Sequence, residues 1–261
     1  MISFDLDFFP RADAREDICD SFDYWMEAFL NALRSNGNIF NDWNDLELED
    51  RVCVRVVSLE ERALLPENWS CYAQDYWNKT KSFCRKSAIF RAVAETVVYD
   101  FVCDCFNPTS HILRSSMFGI ETPVVCGCCE KAIPLYTLPH VNQEEDHYKI
   151  LGWQTTAFSF DRLWYQGGAG ERFATRQLEY PQSDFMKQTR QLAAALEKES
   201  EVPTYSFLKH YYQKWGKHCP LCGRKWRWKE TTSELFAFKC NHCRLISEKS
   251  AEKTLLSKLH P

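Results

Sequence analysis

HCPLCG (218–223) and KCNHCR (239–244) carry the strongest structural signal in this chain. They place Cys219 and Cys222 around a two-residue gap, then seventeen residues, then Cys240 and Cys243 around a second such gap. A two-residue gap lets a tight turn aim both thiolates at one ion, and two such turns supply a tetrahedral sulfur set suited to zinc. Such a site has no open position for water, so its zinc is structural rather than catalytic. The competing readings are four unpaired core cysteines or a redox pair, and two matched pairs speak against both. His218 and His242 read as surface residues beside the site. The spacer fits a hairpin, with Trp226 and Trp228 alternating on one arm and Phe236 and Phe238 on the other.

Working outward, the chain of 261 residues holds 13 cysteines, an odd number that cannot all pair. The N-terminus MISFDLD lacks the basic and apolar regions of a signal peptide. No uncharged apolar run approaches the roughly 18 residues of a membrane span. The expectation is a cytoplasmic protein with reduced thiols and no membrane contact. A second cluster, Cys126-Gly-Cys-Cys129, keeps the two-residue gap, and Cys103 and Cys105 share one face of an expected strand. These four form a second candidate metal site. The alternatives are cysteines packed as small hydrophobes, or a redox pair. Pro134 disfavours the redox pair, because it follows where a long helix would have to run. Cys19, Cys53, Cys71 and Cys84 read as buried thiols without an assigned role.

The net charge of -4 hides a gradient. Residues 1–61 carry 15 acids against 5 bases, and residues 205–261 carry 4 against 12. The basic tail, with Lys225, Trp226, Arg227, Trp228 and Lys229, has cations interleaved with aromatics that suit phosphates and bases. The same tryptophans can instead be the core of the small ribbon. The acidic front has Asp13, Glu16, Asp17, Asp20, Asp23 and Glu27 around its first helix. Beyond it lie Asp42, Trp43, Asp45 and Glu47, and then Trp69, Tyr76 and Trp77. Acids around aromatic anchors suit a basic protein partner, unless they are only a solvated helix face. Charge and the lack of catalytic groups favour the protein partner. The expectation is an immunity-type inhibitor of a basic RNA- or nucleotide-acting toxin, with nucleic-acid binding by the ribbon as the alternative.

Strands are expected at 2–9, 51–58, 97–105 and 203–208, and helices at 20–35, 150–165 and from 171 to about 199, interrupted at Pro181. A short helix fits 89–94, an acidic loop 41–50, and irregular chain 66–86. The fold class is α+β: an acidic sheet-and-helix part (1–115), a cysteine-containing and helical middle (116–204), and a basic zinc ribbon (205–261). No metalloprotease, nucleophile-elbow or phosphate-loop motif occurs, so no enzyme activity is expected. Glu171, Arg172 and Arg176 follow the glycines at 167–170 and suit either an anion site or an ion network between helices.

CGCC (126–129), IPLYTLP (133–139), GERFATRQ (170–177), VPTY (202–205), CPLC (219–222) and FKCNHCRLIS (238–247) keep an order and spacing that resemble a bacterial family of unknown function. That family is described as zinc-ribbon-containing and as a candidate for nucleic-acid binding. The resemblance covers about residues 120–247. It implies zinc at Cys219, Cys222, Cys240 and Cys243 and a bacterial cytosolic origin, and it implies no activity.

Overall fold

Apolar residues alternate along β1 (Ile2–Phe8) and β3 (Val52–Ser58), so one face of each strand must be covered. Phe4, Leu6 and Phe8 meet Val52, Val54 and Val56 beneath Phe22, Met26, Phe29, Leu30 and Leu33 of α1 (Phe22–Ser35). Ser21 caps α1 by accepting the Tyr24 N–H at 3.3 Å. In the computed structural model the described residues are 1–14, 20–40, 43–95, 101–115, 122–142, 144–212, 216–226 and 236–248. They divide into two compact units, Met1–Asp104 with Lys131–Tyr148, and Cys105–Glu130 with Lys149–Pro261. The architecture is α+β, as expected.

The first unit adds β2 (Asn44–Glu47), α2 (Cys71–Ser82) and β4 (Ile89–Glu95), giving an antiparallel sheet in the order β2-β3-β1-β4. Its far face is polar. Arg55 grips Asp5 through two bonds of 2.7 and 2.9 Å, and Asp7, only 4% exposed, is held by Arg51 at 3.1 Å and Arg91 at 2.7 Å. A carboxylate this buried needs paired cations to offset its desolvation.

Three local expectations change here. Residues 89–95 are a strand, because β1 offers a free ladder edge that outweighs the helical spacing of Ile89, Phe90, Val93 and Ala94. Part of the acidic loop is the edge strand β2. Within 66–86 lies α2, capped by Ser70, whose Ala73, Trp77 and Thr80 turn inward. Of the strand expected at 97–105, Val97 and Tyr99 lie outside the described residues. The described part makes only an isolated bridge, Val102 to Ala132.

The second unit contains β5 (His111–Leu113), β6 (Val124–Cys126), α3 (Tyr148–Gln166), α4 (Glu171–Glu179), α5 (Asp184–Ser200), β7 (Thr204–Leu208), β8 (Phe238–Cys240) and β9 (Leu245–Ser247). Its sheet runs β6-β5-β7-β9-β8, with parallel pairs at β5–β7 and β7–β9 and antiparallel pairs at both ends. One face packs with Ala157, Leu178, Phe185 and Met186. The other gathers Ile112, Tyr205, Phe236 and Ile246. The ribbon strands β8 and β9 therefore do not form a free-standing module. β9 pairs with β7, β7 with β5, and β5 with β6, so the ribbon strands share one sheet with β6 of the middle region. Among the described residues no helix is long and apolar enough to cross a membrane.

Candidate metal centres

β8 and β9 form the hairpin that carries the second cysteine pair, and the chain around His218–Trp226 carries the first. In the first turn the Gly223 N–H donates to the Cys219 carbonyl at 2.9 Å, and the Cys219 N–H donates to Arg224 at 2.7 Å. The residue after each second cysteine takes the left-handed conformation, Gly223 at φ +71° and Arg244 at φ +48°. Arg244 has to be held there. Its guanidinium makes contacts of 2.8 to 3.2 Å with the Glu197 carboxylate on α5, and its carbonyl accepts the Ser206 N–H on β7. Arg244 and Glu197 are thus positioning residues that the cysteine spacing does not disclose.

The four sulfurs of Cys219, Cys222, Cys240 and Cys243 lie within 4.8 Å of one another. Cys222 and Cys240 are 3.6 Å apart. A tetrahedron of sulfurs around an ion at about 2.3 Å has edges near 3.8 Å, so the donor set fits a tetrathiolate metal. Cys219 and Cys240 are buried, as is Trp226, whose ring packs tilted at 33° against Phe238 with centroids 5.0 Å apart. Burial pushes the Cys219 and Cys243 thiols up, whereas the Arg224 backbone bond draws Cys222 down to about 7. An incoming cation must displace the remaining protons.

The second group has the same form. The sulfurs of Cys103, Cys105, Cys126 and Cys129 also lie within 4.8 Å of one another. Here the Glu130 N–H donates to the Cys126 carbonyl at 2.9 Å, and Glu130 is left-handed at φ +61°. The Cys128 N–H points at the Cys126 sulfur at 3.4 Å. This turn copies the one at Cys219–Gly223. Two four-cysteine groups able to hold a metal ion are therefore present among the described residues. Cys128 stands outside the set, and its sulfur is 3.1 Å from the Thr109 N–H.

Gly127 is required by close approach. Its N–H donates to the Ser110 carbonyl at 2.7 Å, and a Cβ there would sit 2.0 Å from the Ser110 hydroxyl oxygen. Gly127→Ala should cost about 1–3 kcal/mol by overpacking and lower metal occupancy at this group. Ser110→Ala should restore part of both. Thermal unfolding and metal analysis of the single and double variants check this, and unchanged occupancy in Gly127→Ala would contradict it.

Both groups fall largely within domains of unknown function. Residues 105–209 match the model of one (DUF2310), and residues 212–253 match that of another (DUF8594). The first span contains Cys105, Cys126 and Cys129, and the second contains all four cysteines of the C-terminal group. A protein of Haemophilus influenzae described as uncharacterized is 26% identical, over 92% of this chain and 95% of its own. A second uncharacterized protein of that organism is 29% identical, over 62% of this chain and 81% of its own. A solved structure, Rv0793 from Mycobacterium tuberculosis, aligns with 36% of this chain and 93% of its own at a TM-score of 0.30 and 14% identity. A likeness that weak carries no argument. The resemblance seen across 120–247 is thus to proteins whose function is unknown.

The residues expected at partner surfaces separate sharply. Trp69 is 6% exposed and packs edge-on against Phe29 and Trp77, so it is a core residue and not a surface anchor. Trp43, Tyr76 and Trp77 are partly buried against the same core. Asp45 and Glu47 are exposed on the edge strand β2. In the tail, Trp226 is 1% exposed and offers no face for stacking a base, and Lys225 is exposed. Asp42, Arg227, Trp228 and Lys229 lie outside the described residues.

The structure instead gathers rings that the sequence scatters. Tyr24 meets Trp25 at 5.0 Å, Trp25 meets Tyr76 at 5.8 Å, and Tyr76 stacks on Tyr72 at 6.4 Å and 17°. Tyr24 and Tyr72 are 50% and 43% exposed, and Asp20 accepts the Trp25 indole N–H at 2.5 Å. The spacing of Tyr72 and Tyr76 at i and i+4 was the available signal, hidden by reading that segment as irregular.

Proposed function

We propose that this chain is a non-catalytic, zinc-binding interaction protein that docks a basic protein through the outer face of α1 and α2. The observation that carries this reading is the row Tyr24–Trp25–Tyr76–Tyr72 among the exposed acids Asp20, Asp23, Glu27 and Asp75. Exposed aromatic rings supply binding hot spots, and the surrounding carboxylates attract a cationic surface and speed encounter. Asp45, Glu47, Glu49 and Asp50, exposed on and after β2, extend the acidic character of the same unit. A basic RNA- or nucleotide-acting toxin has the complementary surface, which makes the protein an immunity-type inhibitor.

Zinc is the ion proposed for both cysteine groups, because four thiolates in tetrahedral array suit it and leave no open coordination position. The C-terminal group is then a zinc ribbon in a structural role. All twelve described cysteines are free thiols. Metal thiolates persist where thiols stay reduced, so the proposed compartment is the cytoplasm.

The test is co-expression with a basic protein encoded by a neighbouring gene, followed by size-exclusion chromatography. The expected result is a 1:1 complex. Tyr24→Ala with Tyr72→Ala should weaken it by about 2 kcal/mol or more, roughly 30-fold. Asp23→Lys with Asp75→Lys should slow association. Recovery of nucleic acid alone, or a complex indifferent to all four substitutions, would refute this reading. The buried Trp226 removes one support of the nucleic-acid alternative.

A further inference from the structure

The GERFATRQ stretch shapes a cleft that the partner surface does not use. α4 follows Gly170, which is left-handed at φ +99°, and runs beside a depression of about 670 Å³. The depression is lined by Glu171, Arg172, Thr175, Arg176, Tyr180 and Tyr212. Arg172 and Arg176 are one helical turn apart, and both are exposed.

Two acids of this neighbourhood bind Tyr212. Glu171 accepts the Tyr212 hydroxyl at 2.8 Å. Glu179, fully buried, accepts the Tyr212 backbone N–H at 3.1 and 3.2 Å. These carboxylates fix Tyr212 as a wall of the cleft. Among the described residues, neither Arg172 nor Arg176 has a carboxylate partner. Two like charges one turn apart repel, and an anion between them relieves that repulsion.

We propose that this cleft binds a phosphate ester carrying a planar ring, the chemistry of a mononucleotide. Two guanidinium forks present parallel donors, and these match the oxygens of a phosphate better than a point charge would. The volume lies in the range of small-molecule sites and is far larger than one phosphate needs. Tyr180 and Tyr212, 44% and 54% exposed, supply ring surface for the remainder of the ligand. Thr175 adds a hydroxyl to the lining. The site lies wholly within the second unit, so it stands or falls independently of partner docking on α1 and α2.

The experiment is calorimetric titration of the full, metal-loaded chain with AMP, UMP, inorganic phosphate and a short single-stranded oligonucleotide. The expected result is saturable 1:1 binding of a mononucleotide that phosphate displaces and that weakens as salt rises. Arg172→Gln with Arg176→Gln should lower affinity about tenfold or more, with thermal unfolding unchanged, because glutamine keeps the helix propensity. Tyr212→Phe, which releases Glu171 toward the arginines, should also weaken binding. No saturable heat with either mononucleotide at millimolar concentration would overturn the proposal. So would mononucleotide binding that survives the double arginine substitution, phosphate binding as tightly as the nucleotides, or binding of the oligonucleotide alone.

Discussion

Cys240→Ser should release one equivalent of metal and leave much of the second unit unfolded. Cys240 ends β8, is 2% exposed, and contributes a sulfur 3.6 Å from that of Cys222. Tetrathiolate zinc contributes about 10–16 kcal/mol of apparent binding energy to small zinc domains near neutral pH. That matches or exceeds the roughly 5–15 kcal/mol by which whole domains are stable. The damage should spread, because β9 is an interior strand paired with both β8 and β7, and Leu245 shares a cluster with Leu178, Phe185 and Met186 of the helices. Native mass spectrometry should find two metal equivalents in the reduced parent chain and one in Cys240→Ser. Hydrogen exchange should show protection lost across β7, β8 and β9. Cys126→Ser should also lose one equivalent but keep that protection. A Cys240→Ser protein with full metal content and unchanged exchange would disprove the role assigned to the C-terminal group.

Acid should destabilise the first unit well above the pH at which its carboxylates titrate. His147 is fully buried, its ring lies 4.6 Å from that of His140, and neither of its nitrogens makes a hydrogen bond of good geometry among the described residues. Burial, reinforced by the neighbouring His140, pushes its pKa down to about 3, and the nearby Leu135 backbone opposes this only in part. The unfolded chain, with a histidine pKa of about 6.5, takes up a proton that the folded chain refuses. Stability is therefore complete above about pH 6.5 and falls by about 1.4 kcal/mol per unit below it, until the folded pKa is reached.

Between pH 6.5 and 5 most carboxylates stay ionised, so this window isolates the histidines. His111, buried in the second unit and lowered to about 4, adds a parallel loss there. His147→Leu should flatten the dependence of the urea midpoint on pH by one proton, whatever it does to stability at neutral pH. An unchanged slope in that variant would rule out His147 as the acid-sensitive group.

Much of this molecule was legible in its residues alone, for reasons of local physics. A metal site of the Cys-x2-Cys type is made by tight turns, and turn geometry is set within a few residues. The C-terminal group, and the Cys126–Cys129 pair, could therefore be named from spacing, whereas Cys103 and Cys105 were named from an expected strand of which the described residues keep only an isolated bridge. The same holds for α1, where Phe22, Met26, Phe29, Leu30 and Leu33 keep the helical period and Ser21 caps the start. It holds for β1 and β3, whose alternation marks a sheet with one buried face.

Pairing between distant segments decided the rest. Ile89–Glu95 is a strand only because β1 presents a free edge to it, and the ribbon strands share a sheet with β6 only because β7 pairs with β5 and β5 with β6. Burial was equally out of reach. Trp69 and Tyr72 are three residues apart on neighbouring turns of chain, yet one is 6% and the other 43% exposed. Aromatic composition near acids could suggest a docking face, but only packing determines which rings are spent on the core. The cleft beside α4 shows the same division. Sequence places Glu171, Arg172 and Arg176 together, and tertiary structure ties Glu171 to Tyr212, 41 positions along the chain, and so walls the cleft. Local spacing fixes which groups can share an ion, whereas long-range packing fixes which groups remain free to bind anything else.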